Sequence, residues 1–527
     1  MFSSKSLSGT NGSNSTCPLC YDGINTLYGT CRSGGSSNNG VVFSVDINLN
    51  NVTVLYNFTG GNDGSIPNDG LILIGNVLYG TCVDNGSNSR GTIFSIDTTN
   101  PSSPVFNSFG NLTTGVTPQC VLLYYNNTLY GSTYLGGINN NGVLFSISTT
   151  LTSYNEFYSF PSSGIDGARC NGLIEYSGKL YGLCQFGGSG GSSPGTIFSI
   201  NPDGTNFTLL HSFTPLTDGD TPQQNRLLLV NDILYGTTSS GGVSDNGTIF
   251  SINPNGTTFT VLHTFTSNDG TAAQSTLFYS NNKLYGTCTA GGVNGYGTIF
   301  SINLNGSNYN VVHSFNNTDG NSPFTPIFVN NLIYGTTSSG GSSNNGTIYF
   351  QSVNVVCFKE DTKILTMRGY IPIQNLREGD LVKTLKHGYV AINMIGYRKM
   401  NNPVCKDRIT DKLYVCNQSG YPELFEDLVI TGCHAILVDN FKNTEERDQT
   451  QKVLGAIYVT DNKYRLPACV DERAKPYEKE GEYTIYHFAL ENDDYFMNYG
   501  IYANGLLVES CSKKNLKELS GFHLFHL

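Results

Sequence analysis

Short apolar runs, mostly three to five residues long, alternate through residues 1–350 with stretches rich in Gly, Asn, Ser, Thr and Asp. Runs of that length bounded by turn formers predict strands, not helices. They also repeat. Leu-Tyr-Gly, or Ile-Tyr-Gly in the last copy, places its Tyr at Tyr28, Tyr79, Tyr130, Tyr181, Tyr235, Tyr285 and Tyr334. A second signature, Gly-Thr-Ile-Phe-Ser-Ile or a variant, follows each, with aromatics at Phe43, Phe94, Phe145, Phe198, Phe250, Phe300 and Tyr349. A third run, such as Leu209-Leu210-His211-Ser212-Phe213, then leads through a turn to a fourth, such as Leu227-Leu228-Leu229-Val230. Four strands in about 50 residues is the size of one propeller blade. Seven copies predict an all-β chain with a seven-bladed β-propeller over residues 1–352. No third run follows Tyr349, so residues 1–7 are expected to supply the missing outer strand and close the ring.

The pattern breaks near residue 357. Residues 1–356 hold 7 Lys/Arg and 16 Asp/Glu, and residues 357–527 hold 22 and 24. Charge density therefore rises sharply at a boundary. We read 353–356 as a junction, 357–511 as a second, smaller β-rich domain and 512–527 as a tail. The net charge of −11 excludes a general basic field for nucleic acid or anionic membrane. No apolar run approaches the roughly 18–20 residues of a membrane span, and residues 1–10 lack the apolar core of a secretory signal.

Candidate chemistry concentrates at that boundary. Cys357 opens the alternating stretch Val356-Cys357-Phe358-Lys359-Glu360-Asp361-Thr362, and Thr431-Gly432-Cys433-His434 interrupts an apolar segment downstream. With Gly379-Asp380 and the closing Ala503-Asn504-Gly505-Leu506-Leu507-Val508, these four blocks resemble, in order and spacing, the Hint domain shared by hedgehog autoprocessing domains and inteins. The resemblance implies an N–S acyl shift. The Cys357 sulfur attacks the Val356 carbonyl, His434 protonates the departing amine, and Thr431 holds the scissile Val356–Cys357 peptide. It implies one cis-acting event rather than a turnover enzyme, and an upstream propeller that is cleaved off or transferred. Inteins end in Asn, but Ser510 stands there, so full splicing is not expected. Cys511 sits where a second nucleophile would, and His487 where inteins often carry Asp. The alternative is a non-catalytic Hint fold in a structural or virion surface protein.

The Leu-Tyr-Gly-Thr and Gly-Thr-Ile-Phe pattern resembles the GloVer-type tandem repeat family, which implies a surface binding or structural module of unknown ligand. Abundant Asn and Tyr suit an AT-rich genome, of which giant viruses are one source, with a virion or extracellular surface as the matching location. Within the repeats, Gly-Gly follows six of the seven Leu-Tyr-Gly copies, and Asp-Gly recurs at Asp63, Asp166, Asp218, Asp269 and Asp319. We read both as turn chemistry. His211, His263 and His313 occupy equivalent strand positions in separate blades, too far apart to share an ion. No metal or cofactor site is expected. Cys17 and Cys31, like Cys170 and Cys184, lie 14 residues apart on either side of one hairpin, so both pairs are candidate disulfides.

Overall fold

The computed structural model describes the chain apart from residues 1, 111, 189–193, 224–225, 281–282, 330–331, 353–356, 403–407, 409–411, 455–456, 493, 495–496, 512–522 and 525–527. It divides into two compact units, one of residues 2–328 and 333–350, the other chiefly of residues 351–527.

The first unit is a seven-bladed β-propeller. In the fifth blade Leu228–Val230, Ile233–Thr238, Thr248–Ile252 and Thr260–Thr264 pair antiparallel in that order. The Gly of Leu-Tyr-Gly is needed for close approach alone. A Cβ on Gly236 would lie 2.4 Å from Phe250 Cζ, and one on Gly80 would lie 2.5 Å from Phe94 Cζ. The ring of the second signature thus covers a bare backbone on the neighbouring strand. Each core cluster is built from two adjacent blades. One joins Tyr235, Ile249 and Phe265 of the fifth blade to Leu277, Leu284 and Phe300 of the sixth. A blade cannot bury its apolar face alone, so the ring must close.

It closes as the repeat count requires. Phe2–Ser6 is the outer strand of the seventh blade, beside Thr347–Ser352. Leu7 N–H donates to the Gly346 carbonyl at 2.9 Å. The Phe2 ring stacks on His313 at 4.0 Å, as Phe259 stacks on His211 and Tyr309 on His263, each at 3.8 Å. Thr336 Oγ1 donates to the Cys17 carbonyl, tying the seventh blade to the first. Met1 lies outside the described residues.

The Asp-Gly turns are capped by their own Asp. Asp63 accepts from Thr59 N–H at 2.7 Å and from Gly61 N–H at 3.1 Å. The same Asp also reaches the outer strand, where Tyr56 O–H donates to Asp63 and His211 Nε2 lies 2.7 Å from Asp218 Oδ2. The Gly-Gly amides serve local turns too. Gly241 N–H donates to Asp245 Oδ1 and Gly242 N–H to the Pro215 carbonyl.

The two cysteine pairs differ. Cys170 and Cys184 face each other across their hairpin in a disulfide, with Cα atoms 3.8 Å apart. Cys17 and Cys31 are buried free thiols, against the expectation of a second disulfide. The cause is one extra residue in the first hairpin. Leu19, which packs over Gly29, precedes it by ten residues, whereas Leu173 precedes Gly182 by nine. Equal spacing therefore puts Cys17 two residues before its inward Leu and Cys170 three before. Cys17 joins Cys120 and Ser275 in another task. Its sulfur accepts Thr30 N–H at 3.2 Å, as Cys120 accepts Ser132 N–H at 3.2 Å and Ser275 accepts Thr287 N–H at 2.8 Å.

The second unit is built on one antiparallel sheet with a single described α-helix, Thr444–Leu454. Its backbone is the long pair Tyr389–Asn402 and Gly481–Leu490. Phe358–Lys359 lies between Gly481–Leu490 and Leu428–Thr431. That placement buries Phe358 in the main core and seats Cys357 among Leu413 and Ile485.

Candidate active site

Position follows from the strand that carries Cys357. Phe358 is registered to Ile430, so Cys357 falls beside the end of Leu428–Thr431 and the turn that follows. The turn is braced on both sides. Gly432 N–H donates to the Lys412 carbonyl, Cys469 N–H to the Gly432 carbonyl, and Ala468 N–H to the His434 carbonyl.

Thr431 grips both polar groups of Cys357. Its Oγ1 accepts the Cys357 N–H at 2.9 Å, its own N–H donates to the Cys357 carbonyl at 3.0 Å, and its hydroxyl lies 3.4 Å from that oxygen. His434 Nδ1 stands 3.1 Å from the same carbonyl oxygen, and Nε2 stands 3.1 Å from the Glu509 carbonyl oxygen. Both partners are acceptors. A neutral ring satisfies one of them, an imidazolium both. Burial outweighs the two carbonyls and pulls the His434 pKa down to about 4. The ring also packs on Phe358, with centroids 4.2 Å apart.

Cys511 closes the site from just beyond the strand Leu506–Glu509. Its N–H donates to the Phe488 carbonyl at 3.3 Å, and it forms a parallel bridge with Ala489. Its thiol is pushed well up, first by burial and then by the proximity of Cys357. Cys357, Thr431, His434 and Cys511 are therefore gathered at one place, all of them buried. Val356, with the rest of the junction 353–356, lies outside the described residues, as do 512–522 and 525–527 of the tail.

Three residues gain roles that the motifs did not indicate. Glu509 supplies the carbonyl that meets His434, and its buried carboxylate is fixed by Arg465 at 3.1 Å and Asn498 at 3.3 Å. A charged residue inside an apolar closing strand was the only signal. Ser510 caps the preceding strand, accepting Tyr499 N–H on its hydroxyl at 2.9 Å. His487 is fully buried 5.8 Å from the His434 ring, and neither of its nitrogens has a hydrogen-bond partner among the described residues. Burial, then the nearby His434, pushes its pKa well down. By contrast Asp380 and Asn504 are structural. Asp380 caps Arg377 N–H, and Asn504 accepts Lys363 N–H at 2.6 Å while donating to the Asp427 carbonyl at 2.9 Å.

The comparisons agree with this division. Residues 2–193 and 166–350 match the Gloeobacter/Verrucomicrobia repeat. The chain belongs to that repeat family. Downstream of its repeats, residues 356–515 match the Hint domain. No curated protein matches this repeat-family chain in sequence. Among solved structures it is similar to a chain of a nidogen/laminin complex at 13% identity, covering 54% of this chain and 91% of that one, with a TM-score of 0.34. An oligogalacturonate lyase in complex with manganese also matches at 13% identity, covering 67% and 96%, with a TM-score of 0.42. None of these matches points to a giant-virus source. Among the described residues no helix is long and apolar enough to cross a membrane.

Proposed function

We propose that the chain is a self-processing precursor in which Cys357 severs or transfers the propeller. The Cys357 thiolate attacks the Val356 carbonyl carbon, forming a C–S bond. The resulting tetrahedral adduct collapses, the C–N bond breaks, and the Cys357 nitrogen leaves as an amine that takes up one proton. The supporting observation is the grip of Thr431 and His434 on Cys357. Thr431 Oγ1 lies 2.9 Å from the leaving nitrogen and 3.4 Å from the neighbouring carbonyl oxygen, which His434 Nδ1 also approaches at 3.1 Å. In this reading a neutral His434 protonated on Nδ1 donates the proton to that amine. Water, an outside nucleophile or Cys511 then resolves the thioester. The Val356 side chain, branched at Cβ, slows that resolution. The freed propeller serves as a binding or structural surface module.

A second reading has its own support. His434 is fully buried with both nitrogens already at carbonyls, the arrangement of a structural histidine in a non-catalytic Hint fold. Intact mass separates the two. Wild type incubated with and without thiol should yield a fragment ending at Val356, and Cys357→Ala should yield none. Fragmentation that survives Cys357→Ala assigns the cut to an outside protease. An intact wild-type chain under thiol assigns the fold to the non-catalytic reading.

A further inference from the structure

The turn that carries Thr431 and His434 is held from outside by the loop 467–474. Two tight turns shape that loop. Val470 and Asp471 N–H donate to the Pro467 carbonyl, and Ala474 N–H donates to the Asp471 carbonyl. Four carbonyls of the loop converge on one guanidinium. Arg408 Nε donates to the Cys469 carbonyl at 2.8 Å, and its Nη2 lies 2.9 Å from the Ala468, 2.6 Å from the Asp471 and 2.9 Å from the Ala474 carbonyl oxygen. The Asp471 carboxylate is engaged elsewhere, by Arg473 at 2.7 Å and by Tyr421 O–H at 2.8 Å. The Arg408 cation also lies 5.1 Å from the ring centre of Tyr414, which is registered to Ile430 on the strand leading into Thr431.

The same loop reaches the turn. Cys469 N–H donates to the Gly432 carbonyl at 2.8 Å, and Ala468 N–H donates to the His434 carbonyl at 3.0 Å. The peptide unit 468–469 therefore has its oxygen on Arg408 and its N–H on Gly432. A cation at the carbonyl polarises the amide and makes its N–H the stronger donor. Removing the guanidinium leaves four carbonyls crowded together without their shared donor, and the loop must rearrange to reach water. Any such shift is passed to Gly432 and His434. It draws Thr431 Oγ1 from the Cys357 N–H and His434 Nδ1 from the Cys357 carbonyl.

We propose that Arg408 is a positioning residue for processing at Cys357. By capping the four carbonyls of the 467–474 loop it holds the Thr431–His434 turn against the scissile peptide. The inference rests on the reading of Cys357 as a self-processing nucleophile. Arg408 acts through the turn, not on the reacting atoms.

The test pairs a rate with a spectrum. Thiol-induced cleavage of the full-length chain, followed by intact mass, should slow by up to about 10²-fold in Arg408→Met, the effect of displacing a positioned group by about 1 Å. In parallel, NMR of the histidine-labelled full-length chain carrying Cys357→Ala follows the His434 imidazole, identified by its loss in His434→Gln. Burial holds that ring down to about 4, and a loosened turn that admits water should raise its titration midpoint toward about 6.5. Arg408→Lys keeps the charge but not the planar fork, so it should fall between wild type and Arg408→Met in both readouts. It replaces Arg408→Met if that variant fails to fold. In a chain that cleaves, an unchanged rate in the variant overturns the proposal. A wild type inert to thiol removes the reading of Cys357 and leaves Arg408 to be judged by the midpoint. An unmoved midpoint overturns the proposal in either case.

Discussion

The two units handle polar groups in opposite ways. The propeller repeats one local solution, in which an Asp at each Asp-Gly turn caps its loop and reaches a Tyr or His on the outer strand. The blades share this turn, and clusters of three or more metal-ligating side chains are absent among the described residues. The C-terminal unit instead brings two polar side chains of one turn, Thr431 and His434, together onto Cys357. A regular ring gives stability and surface. In the proposed function one irregular turn gives the chemistry. If this division is right, damage to one unit should leave the signature of the other untouched.

The largest effect is expected at His434. His434→Ala should slow thiol-induced cleavage by about 10²–10⁴-fold, the usual worth of a positioned proton donor, while the propeller melts as before. Timed intact-mass spectra with differential scanning calorimetry read both. Phe250→Ala is the converse. Phe250 is fully buried over Gly236, and its loss should cost the propeller about 3–5 kcal/mol without changing the cleavage rate, as chemical denaturation and the same mass assay would reveal.

Acid offers a third contrast. His434 is held down to about 4, so the unfolded chain, titrating near 6.5, takes up the proton first. The stability conferred by a neutral His434 is full above about pH 6.5 and drains as pH falls toward 4, by about 3 kcal/mol at most. His487 shifts in the same direction. Denaturant midpoints of the C-terminal unit should fall across that window, and fall less steeply in His434→Gln, which leaves His487 to titrate. The smallest effect is within the propeller. Reducing Cys170–Cys184, a 14-residue separation, should cost up to about 3 kcal/mol by release of loop entropy. Cys170→Ser should abolish that sensitivity to reductant, and Cys17→Ser should not.

Much of this was legible in the residues. The bare Gly under each Phe forces Leu-Tyr-Gly and Gly-Thr-Ile-Phe to recur together, so the repeats expose the blades. The missing seventh outer strand likewise pointed to residues 1–7, of which Phe2–Ser6 form it. Motif order placed Cys357 and His434 in one domain, but not which atoms they share. The approach of His434 to the carbonyls of Cys357 and Glu509 depends on how three distant strands register, and no local pattern encodes that. The Cys17–Cys31 expectation failed for a similar reason. One extra residue in a hairpin shifts its partners without changing the spacing between cysteines. The His211–Asp218 contact was missed because each residue was weighed alone, as a strand position and as a turn cap.

The central claim is a thioester at Val356, and hydroxylamine trapping tests it most directly. Freshly folded full-length chain is treated with hydroxylamine, and the C-terminus of the released propeller is read by mass spectrometry. A Val356 hydroxamate that is absent from Cys357→Ala is the predicted result. A chain that stays whole, or a propeller fragment ending elsewhere or carrying an ordinary carboxylate in both proteins, would contradict it.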